Sequence, residues 1–550
     1  MTSSKLKIQL SQINTSVGDV EGNYQKIIDE FKKAEAAGCD LVVFCEMALS
    51  GYPCEDLWQK KYFLDEIKNK ILEICKKTIG SKCAILFGAP HFAILRNKKE
   101  AIHNSAFLIE NGEIKKIINK KTLPNYGVFD EKRNFEADNF LSLIEFRGMT
   151  LAVLICEDAW DSKNLFLLSE QVFDVIITIN SSPYDVKKFA RRLSAMQKFS
   201  TTLGKPLIYL NQVGAQDSLV FDGASFVLNN EAELVFLMKE FEEDSAIIEV
   251  NKEGEIIDKN ILSHSNDWLK NNYSACVLGL RDYIYKNNFQ KVLLGMSGGI
   301  DSALVATIAV DALGKENVAL YALPSRYNSE ESMIDAKNCA KNLDLDLNII
   351  SIEKPFEVMT EALGEIKNLT QENLQSRIRG NILMALSNDA GNLLLSTGNK
   401  SELAMGYATI YGDMCGAFNP IKDLYKTKIY KLVNWRNENI PEISFYKKTN
   451  LIPQNIITKA PTAELRFNQK DSDSLPEYEI LDKILYQIIE EKNSVEEIVK
   501  LGFEENLVKK IAKGFYASEY KRRQAVIGPK ISEMSFDKDR RYPITNKFWQ

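Results

Sequence analysis

The sequence predicts an α/β protein of two domains, a mixed-sheet layer domain followed by a doubly wound parallel-sheet domain. The chain has 550 residues, a length that at roughly 150 residues per domain favours more than one domain. Short apolar strand patterns alternate with helical segments along the whole chain, as in layered α/β proteins. Hydrophobic residues at 45% and charged residues at 26% are typical of folded globular domains.

Composition excludes several classes of protein. The formal net charge is −6 without long blocks of one sign, which disfavours a nucleic-acid partner. No apolar run approaches the ~18 residues that span a bilayer, and no signal segment is recognisable, so we expect no membrane association and a cytoplasmic location. Nine cysteines without a CxxC pair disfavour disulfides and structural zinc, and only three histidines are available for catalysis.

Residues 1–262 form the first predicted domain. Strand patterns begin at Leu6, Leu41, Cys83, Thr150, Phe173 and Lys205. A helix is predicted from Asn23 to Ala37, where apolar residues recur at helical spacing. Asn111-Gly112 between two apolar runs predicts a β-hairpin. Strands, helices and hairpins together indicate a mixed sheet.

Three apolar strands of this domain each end on a reactive polar residue. Glu46 follows LVVFC, Lys120 follows IIN, and Cys156 follows LAVLI. Strand ends can bring side chains together at one edge of a sheet. A thiol with an ordinary pKa of about 8.5 needs a base to become a nucleophile, and a glutamate can provide it. A lysine beside them can stabilise the thiolate and a developing oxyanion.

The strings around these residues resemble the nitrilase, or carbon-nitrogen hydrolase, superfamily. They read FCEMALSGYPCEDL, NKKTLPNYGVFDEKRNF and ICEDAW. The resemblance implies an α-β-β-α sandwich with Glu46, Lys120 and Cys156 as the catalytic set. Leu123-Pro124 selects Lys120 over Lys121, because the family's lysine stands three positions before this pair. It further implies glutamine binding by Tyr126, Ser182 and Lys188, although Tyr126 as a packing residue and Lys188 as a solvated charge are open alternatives.

Residues 263–275 are predicted to be a linker, and residues 276–550 a second domain. The strand KVLLG, a glycine turn, a helix ending at Gly314 and the strand VALYALP form a βαβ unit, which predicts a parallel sheet. LNIISI and NLLLSTG add strands of the same kind.

The glycine turn of this unit is a candidate phosphate-binding loop. Its residues are Gly295, Met296, Ser297, Gly298, Gly299, Ile300, Asp301 and Ser302. Glycines let the backbone approach a phosphate, and the amides at a helix start attract the anion. The GxxxxGK[ST] pattern is absent. The loop resembles the SGGxDS loop of the ATP pyrophosphatase family, which implies ATP binding and adenylation of a carboxyl or carbonyl group.

STGNKSE after the last strand resembles the NAD synthetase family. So do four further strings in the same order, LPSRYNSEES, ENLQSRIRGN, PTAELRFNQKDSDSLPEY and KRRQA. The resemblance implies ATP contact by Thr397 and deamido-NAD contacts by Asn373, Glu402 and Lys521. Asp301 and Glu402 are the candidate ligands for the Mg²⁺ that accompanies ATP, and no redox cofactor is expected. The segment around Ser472 is expected to close over the site.

Arg377 and Arg379 have two open interpretations. Either could bind dinucleotide phosphates, and either could form structural ion pairs.

The two resemblances together imply a glutamine-hydrolysing enzyme that amidates deamido-NAD. L-Glutamine would supply ammonia through an enclosed, mostly uncharged channel, and ATP would activate the carboxylate. Another ATP-dependent ligase, acting on a nucleotide or a tRNA base, is the alternative, and a non-catalytic regulatory protein is a second. By resemblance we expect at least a homodimer.

Overall fold

The computed structural model describes residues 5–94, 100–256, 260–261, 267–467, 469–473 and 475–548. The chain forms two compact units, Met1–Asn266 and Asp267–Gln550. Within the described residues, every helix is too short or too polar to cross a membrane. The predicted linker overlaps a helix of the second unit, which begins at Trp268 with Asp267 as its N-terminal cap, while residues 263–266 lie outside the described part.

Among its described residues, the first unit contains fifteen strands and four α-helices. The strands are β1 (Lys5–Gln12), β2 (Leu41–Phe44), β3 (Ala84–Ile94), β4 (Glu100–Glu110), β5 (Glu113–Asn119), β6 (Leu143–Phe146), β7 (Met149–Ile155), β8 (Val175–Asn180), β9 (Leu207–Asn211), β10 (Val213–Gln216), β11 (Leu219–Asp222), β12 (Phe226–Leu228), β13 (Leu234–Leu237), β14 (Asp244–Asn251) and β15 (Asn260–Ile261). The helices are α1 (Val20–Ala36), α2 (Lys61–Lys77), α3 (Ser162–Ser169) and α4 (Lys188–Leu203).

Two mixed sheets form the middle of this unit. One has the strand order β14-β1-β2-β3-β4-β5, and the other has the order β15-β13-β12-β9-β8-β7-β6. Apolar side chains of both sheets, such as Leu10 and Ile155, share one buried cluster between them. Helices α1 and α2 cover the first sheet, and α3 and α4 cover the second. This layer order confirms the predicted α-β-β-α sandwich.

Local sequence explains the boundaries that the structure shows. Asn111 and Gly112 both have positive φ angles, as the tight turn between β4 and β5 requires, so the predicted hairpin is confirmed. Helix α1 begins at Val20 rather than at Asn23, because the carboxylate of Asp19 accepts a hydrogen bond from the Gly22 amide and caps the helix earlier.

The second unit contains four strands and twelve α-helices among its described residues. In chain order they are α5 (Trp268–Lys286), β16 (Val292–Gly295), α6 (Ile300–Leu313), β17 (Val318–Ala322), α7 (Glu330–Asn342), β18 (Leu347–Ile349), α8 (Glu353–Leu363), α9 (Asn368–Ala390), β19 (Leu393–Leu395), α10 (Lys400–Met405), α11 (Lys426–Glu438), α12 (Gln454–Thr458), α13 (Tyr478–Ile489), α14 (Val495–Lys500), α15 (Glu505–Ala517) and α16 (Glu519–Arg522).

The strands of this unit form a parallel sheet in the order β18-β17-β16-β19. The chain runs from β16 outward through β17 to β18 and then returns to the other side of β16. The order therefore reverses between β16 and β19, and ligands of doubly wound sheets bind at the carboxyl ends of the strands at such a point. The predicted parallel sheet and the helix end at Gly314 are confirmed.

Candidate active sites

The sharp turn after β7 carries the thiol of the first candidate site. Cys156 follows the strand directly and begins a short 3-10 helix that ends at Ala159. Its φ angle is +47°, a left-handed conformation that costs a residue other than glycine about 1–2 kcal/mol. The side chain is only 4% exposed. Strain at one residue of a buried turn is typical of a site that must aim a reactive side chain.

Glu46 lies just beyond the end of β2 and is fully buried. Its Oε1 accepts hydrogen bonds from Lys120 Nζ at 2.7 Å and from Asn104 Nδ2 at 2.7 Å. The backbone amide of Ser181, which follows β8, donates to Oε2 at 2.8 Å. These donors from three chain segments hold the carboxylate in one orientation.

Lys120 follows β5 and is also fully buried. Its Nζ donates to Glu46 and, at 2.9 Å, to Glu131 Oε1. Burial alone would lower the pKa of Lys120, but the negative charges of Glu131 and Glu46 outweigh it and raise the pKa well above the usual value. Lys120 therefore remains a cation at neutral pH.

The structure brings Cys156 into the electrostatic field of this pair. Burial, and after it the charge of Glu46, raises the pKa of Cys156 well above the usual value, and Lys120 partly opposes this rise. The thiol is therefore protonated at rest and needs a base to become a nucleophile. Glu46 has the carboxylate for that role, and Lys120 has a fixed positive charge for a developing oxyanion.

Sequence reasoning missed two further residues of this site, Glu131 and Asp158. Glu131 is buried, and its Oε1 accepts hydrogen bonds from both Lys120 and the Tyr52 hydroxyl, the latter at 2.9 Å. Burial and the charge of Glu46 raise the pKa of Glu131 to about 7, against the opposing charge of Lys120. The run DEKR around Glu131 looks like a solvated turn, and only its place in the motif after Lys120 could have drawn attention to it.

Asp158 connects the lysine segment to the cysteine turn. Its Oδ1 accepts hydrogen bonds from the amides of Lys121 at 3.0 Å and Thr122 at 2.7 Å, and its Oδ2 accepts one from the Ile155 amide at 3.2 Å. The carboxylate is buried, and burial raises its pKa to about 6. One side chain therefore sets the relative position of two chain segments that carry Lys120 and Cys156.

The three predicted glutamine-binding residues have different surroundings. Tyr126 is 57% exposed, and its hydroxyl donates to the Glu157 carboxylate at 3.0 Å. Ser182 is buried, and its Oγ accepts a hydrogen bond from Arg192 Nε at 3.2 Å. Lys188 lies over the ring of Trp160, 4.9 Å from its centroid, and interacts electrostatically with Cys156.

The second candidate site is a cavity of about 470 Å³ within the second unit. It lies at the carboxyl ends of β16, β17 and β19, where the strand order reverses. The predicted ATP, metal and dinucleotide residues that line it are Gly295, Met296, Ser297, Gly299, Ile300, Asp301, Asn373, Thr397, Glu402 and Lys521. Most of the residues that the motifs single out in this half therefore meet in one cavity.

Two residues of the predicted loop shape it instead of lining the cavity. Gly298 has a φ of +81°, and a Cβ there would collide with the carbonyl oxygen of Ser332, so the loop can approach α7 only with glycine at this position. Ser302 donates a hydrogen bond to the carbonyl of Gly299 at 3.0 Å and lies 3.1 Å from the hydroxyl of Ser297.

Carboxylates gather on one side of the cavity around a single lysine. Lys426 Nζ donates to Asp301 and, at 3.4 Å, to Glu402. Burial raises the pKa of Glu402 to about 8, and the charges of Asp301 and Asp471 add to this rise while Lys426 opposes it. Sequence reasoning named neither Lys426 nor Asp471 as a site residue. Lys426 lies outside every motif string, whereas Asp471 stands beside Ser472 in PTAELRFNQKDSDSLPEY, the segment that is expected to close over the site.

Asp301 and Glu402 fit the requirements of Mg²⁺. Both supply the hard oxygen ligands that this ion prefers, both line the cavity, and both already hold one cation, the ammonium of Lys426. Across the described ranges, no group of three or more His, Cys, Asp or Glu side chains is arranged to hold a metal. Such a pair matches the usual way of binding Mg²⁺, in which one or two carboxylates share the ion with phosphate oxygens and water.

The remaining predicted residues lie around the same cavity. The Asn373 Oδ1 accepts a hydrogen bond from Thr409 at 2.9 Å, and Lys521 Nζ donates to the carbonyl of Gly406 at 2.7 Å. Gln469 and Asp471, on the amino side of Ser472, line the cavity.

The two open arginines differ. Arg377 is exposed and donates to the carbonyl of Ile410 at 3.2 Å. Arg379 lines the cavity, where its side chain donates to uncharged oxygens, among them Leu323 O at 2.9 Å and Asn328 Oδ1 at 3.1 Å. Burial lowers its pKa to about 10.

Comparisons with known proteins match the two halves of the chain to two different families. A carbon-nitrogen hydrolase family model matches residues 7–255, and an NAD synthase family model matches residues 272–525. The glutamine-dependent NAD(+) synthetase of Acinetobacter baylyi is 39% identical over 545 residues, 98% of each chain. That of Rhodobacter capsulatus is 40% identical over 554 residues, 99% of each chain.

Solved structures show the same relationship. The glutamine-dependent NAD+ synthetase of Acinetobacter baumannii, solved in complex with adenosine diphosphate, has a TM-score of 0.78 and 36% identity and covers 98% of this chain and 99% of its own. The enzyme of the same description from Cytophaga hutchinsonii shares the fold, with a TM-score of 0.82 over 99% of this chain and 98% of its own at 21% identity. The chain therefore belongs to the family of glutamine-dependent NAD(+) synthetases.

Proposed function

We propose that this chain releases ammonia from L-glutamine in its first unit and uses it in its second unit to convert deamido-NAD to NAD at the expense of ATP. The observation that carries the proposal is the buried hydrogen bond between Lys120 and Glu46 in the electrostatic field of the Cys156 thiol. Membership of the family supports the overall reaction. No feature of the described residues favours the alternative ligase on a nucleotide or tRNA base.

The first reaction begins with proton transfer from Cys156 to Glu46. The thiolate attacks the side-chain amide carbon of glutamine, and Lys120 stabilises the oxyanion that forms. Protonated Glu46 then returns the proton to the leaving nitrogen. Ammonia departs, and a thioester between Cys156 and the substrate remains. Glu46 next takes a proton from water, whose oxygen attacks the thioester carbon. The C–S bond breaks, glutamate is released, and the Cys156 sulfur regains the proton from Glu46. The glutamine substrate is proposed to lie against Tyr126, Ser182 and Lys188.

The second reaction takes place in the cavity beside β16 and β19. The carboxylate of deamido-NAD attacks the α-phosphorus of ATP, which releases pyrophosphate and leaves an acyl-adenylate. Ammonia then attacks the acyl carbon and AMP departs. The loop from Gly295 to Ser302, with Thr397, is proposed to bind ATP, and Asn373, Glu402 and Lys521 to bind deamido-NAD. Asp301 and Glu402 would hold Mg²⁺, which neutralises phosphate charge when bound.

Ammonia must stay uncharged between the two reactions, because ammonium carries no lone pair for attack. We therefore propose that it moves through an enclosed channel without release to solvent. The proposed assembly is at least a homodimer, which light scattering of the full chain would test.

The decisive experiment compares two nitrogen donors in a Cys156→Ala variant. Synthesis of NAD from glutamine is expected to vanish, because no other group in the first site can form the thioester. Synthesis from ammonium salts is expected to continue, because the second site does not use Cys156. NAD is measured by mass spectrometry with amide-labelled glutamine as donor. Equal loss of both activities, or label absent from NAD made by the unaltered enzyme, would refute the proposal.

A further inference from the structure

Asn399 contacts both candidate Mg²⁺ ligands of the second site. It is fully buried and stands directly before α10, the helix that carries Glu402. Its Nδ2 donates a hydrogen bond to Asp301 Oδ1 at 3.1 Å. Its Oδ1 accepts one from the Glu402 amide at 2.9 Å, and its own backbone amide donates to Glu402 Oε2 at 3.4 Å. One residue therefore bridges the two carboxylates.

Asn399 and Lys426 divide the oxygens of these carboxylates between them. On Asp301, Oδ1 accepts a hydrogen bond from Asn399, and Oδ2 accepts one from Lys426. On Glu402, Oε2 faces the amide of Asn399, and Oε1 faces Lys426 Nζ at 3.4 Å. A cation that binds both carboxylates repels the ammonium of Lys426 but not a neutral amide. The contacts of Asn399 can therefore stay in place when such a cation binds.

Other contacts already fix the first turn of α10. Lys400, the first residue of the helix, is fully buried. Its Nζ donates to Glu490 at 2.7 Å and pairs with Asp423 at 2.9 Å. The position of the helix therefore does not rest on Asn399 alone. What Asn399 adds is a direct, uncharged link from this turn to the loop that carries Asp301.

We propose that Asn399 is a positioning residue that sets the distance between Asp301 and Glu402 and thereby the affinity of the second site for the Mg²⁺ that accompanies ATP. The inference rests on the proposed function of this site. Two carboxylates repel each other, and a fixed neutral bridge keeps both at the spacing that one ion can span. Without the bridge, both side chains must be ordered when the ion binds, and this ordering lowers the affinity.

A purely structural role of Asn399 predicts a different result. The same side chain caps α10, and serine caps a helix about as well as asparagine, whereas alanine does not. A serine side chain ends before it can reach Asp301, so Asn399→Ser keeps the cap and removes the bridge. Asn399→Ala removes both. The two variants therefore separate the bridge from the cap.

The test measures the binding of Mn²⁺, a paramagnetic substitute for Mg²⁺, to the full-length enzyme in excess over α,β-methylene-ATP, which cannot release pyrophosphate. The EPR signal of free Mn²⁺ gives the dissociation constant. This constant should rise about 10-fold in Asn399→Ser and Asn399→Ala alike, because each loses a hydrogen bond to a charged group. The melting temperature should fall in Asn399→Ala alone. Binding of the same analogue in EDTA should not change.

The Mg²⁺ dependence of NAD synthesis from ammonium salts provides a second measurement. In Asn399→Ser, the half-saturating concentration of Mg²⁺ should rise in parallel with the dissociation constant for Mn²⁺, and kcat at saturating Mg²⁺ should change little. Ser494 caps α14 in the same way and supplies the control. Ser494→Ala should lower the melting temperature and leave the affinity for Mn²⁺ unchanged.

An unchanged dissociation constant for Mn²⁺ in Asn399→Ser would overturn the inference, and a rise in Asn399→Ala alone would assign the effect to the cap. Equally weakened binding of the analogue in EDTA would also overturn it, because Asn399 would then shape the nucleotide site as a whole. If Asn399→Ser does not fold, Asn399→Thr, which keeps the capping hydroxyl, replaces it under the same criteria. If the unaltered enzyme makes no NAD from ammonium salts, the proposed function fails instead.

Discussion

The candidate site of the first unit pairs its buried charged groups with one another, whereas the cavity of the second unit gathers carboxyl groups around one lysine. Glu46 and Lys120 are fully buried and hydrogen-bonded to each other, and Glu131 completes the pairing. In the cavity, Asp301, Glu402 and Asp471 all interact with Lys426. The first site therefore places two carboxyl groups around one lysine, whereas the second places three around one lysine, and the pKa of Glu402 rises to about 8 as a result of its burial and of the charges beside it.

This difference follows from what each reaction brings with it. Amide hydrolysis needs a nucleophile, a base and an oxyanion partner, all of which side chains can provide. Adenylation handles a triphosphate, whose charge must be neutralised by a metal ion and by cationic groups. A site with three carboxyl groups suits a ligand that arrives with Mg²⁺. We therefore expect the first site to be preformed and the second to be completed by its ligands.

The largest expected effect comes from removing the cation of the first site. Lys120→Met should lower ammonia release from glutamine about 10³-fold, because it removes the oxyanion partner and leaves Glu46 and Glu131 facing each other without a cation. Measured rates of ammonia release check this. Lys121→Met is the matched control, and it should retain activity. A loss in Lys121→Met with activity kept in Lys120→Met would move the catalytic role to the neighbouring lysine.

Removing the metal should affect the reaction of the second site and leave that of the first site unchanged. With EDTA, or in Asp301→Asn, synthesis of NAD from ammonium salts is expected to fall at least about 10²-fold, because phosphate charge is no longer neutralised. Labelling of Cys156 by an electrophilic glutamine analogue should continue at its usual rate, because the proposed thiol chemistry of Glu46, Lys120 and Cys156 requires no metal. Mass spectrometry follows the label, and Asp346→Asn, an exposed carboxylate of the same unit, is the control. Labelling that stops with EDTA would contradict the idea of a preformed first site.

Motif residues at strand ends could be predicted from the sequence. Glu46, Lys120 and Cys156 each follow an apolar strand, and the loop from Gly295 joins a buried strand to a helix. The fold class could be predicted as well, because the spacing of hydrophobic residues distinguishes strands from helices and shows which of their faces are buried. These features are local, so a single sequence contains them.

Partners distant in sequence could not be predicted. Strand β14 pairs with β1 although the residues that face each other are more than 200 positions apart. Lys426 meets Asp301 across 125 positions. Glu131 lies in a charged run, and its burial against Tyr52 follows from packing that no local pattern encodes. Helix ends depend on caps such as Asp19, which explains the early start of α1.

Asp158 offers a smaller test of how rigidly the first site is built. Asp158→Asn should lower ammonia release about 10- to 100-fold. The carboxylate accepts hydrogen bonds from backbone amides on both of its oxygens, whereas a carboxamide would turn an N–H donor towards one of these amides. The rate of Cys156 labelling should fall in parallel. Asp161→Asn is the control, since Asp161 contacts the side chain of Thr122 but no amide of the lysine segment. Unchanged rates in Asp158→Asn would show that the cysteine turn holds its position without this carboxylate.

Glu131 is expected to make the stability of the folded chain depend on pH. The pKa of Glu131 is about 7 in the folded chain, chiefly through burial, against the ordinary 4.5 when unfolded. Between these values the folded state holds the proton more tightly, so the contribution of Glu131 to stability is full below pH 4.5 and is lost as pH rises towards 7. A pKa shift of this size corresponds to about 3 kcal/mol in the free energy of unfolding.

Glu131→Gln should remove this dependence of stability on pH. The difference in melting temperature between the unaltered enzyme and Glu131→Gln, followed from pH 5 to pH 8, should therefore move in favour of the variant as pH rises. Because Glu131 also raises the pKa of Cys156, thiol labelling in the variant should move to lower pH. Glu66→Gln on α2, an exposed carboxylate, should show neither change. A difference in melting temperature that stays constant with pH would mean that Glu131 is ionised throughout, and the buried cluster would then carry one more negative charge than Lys120 can balance.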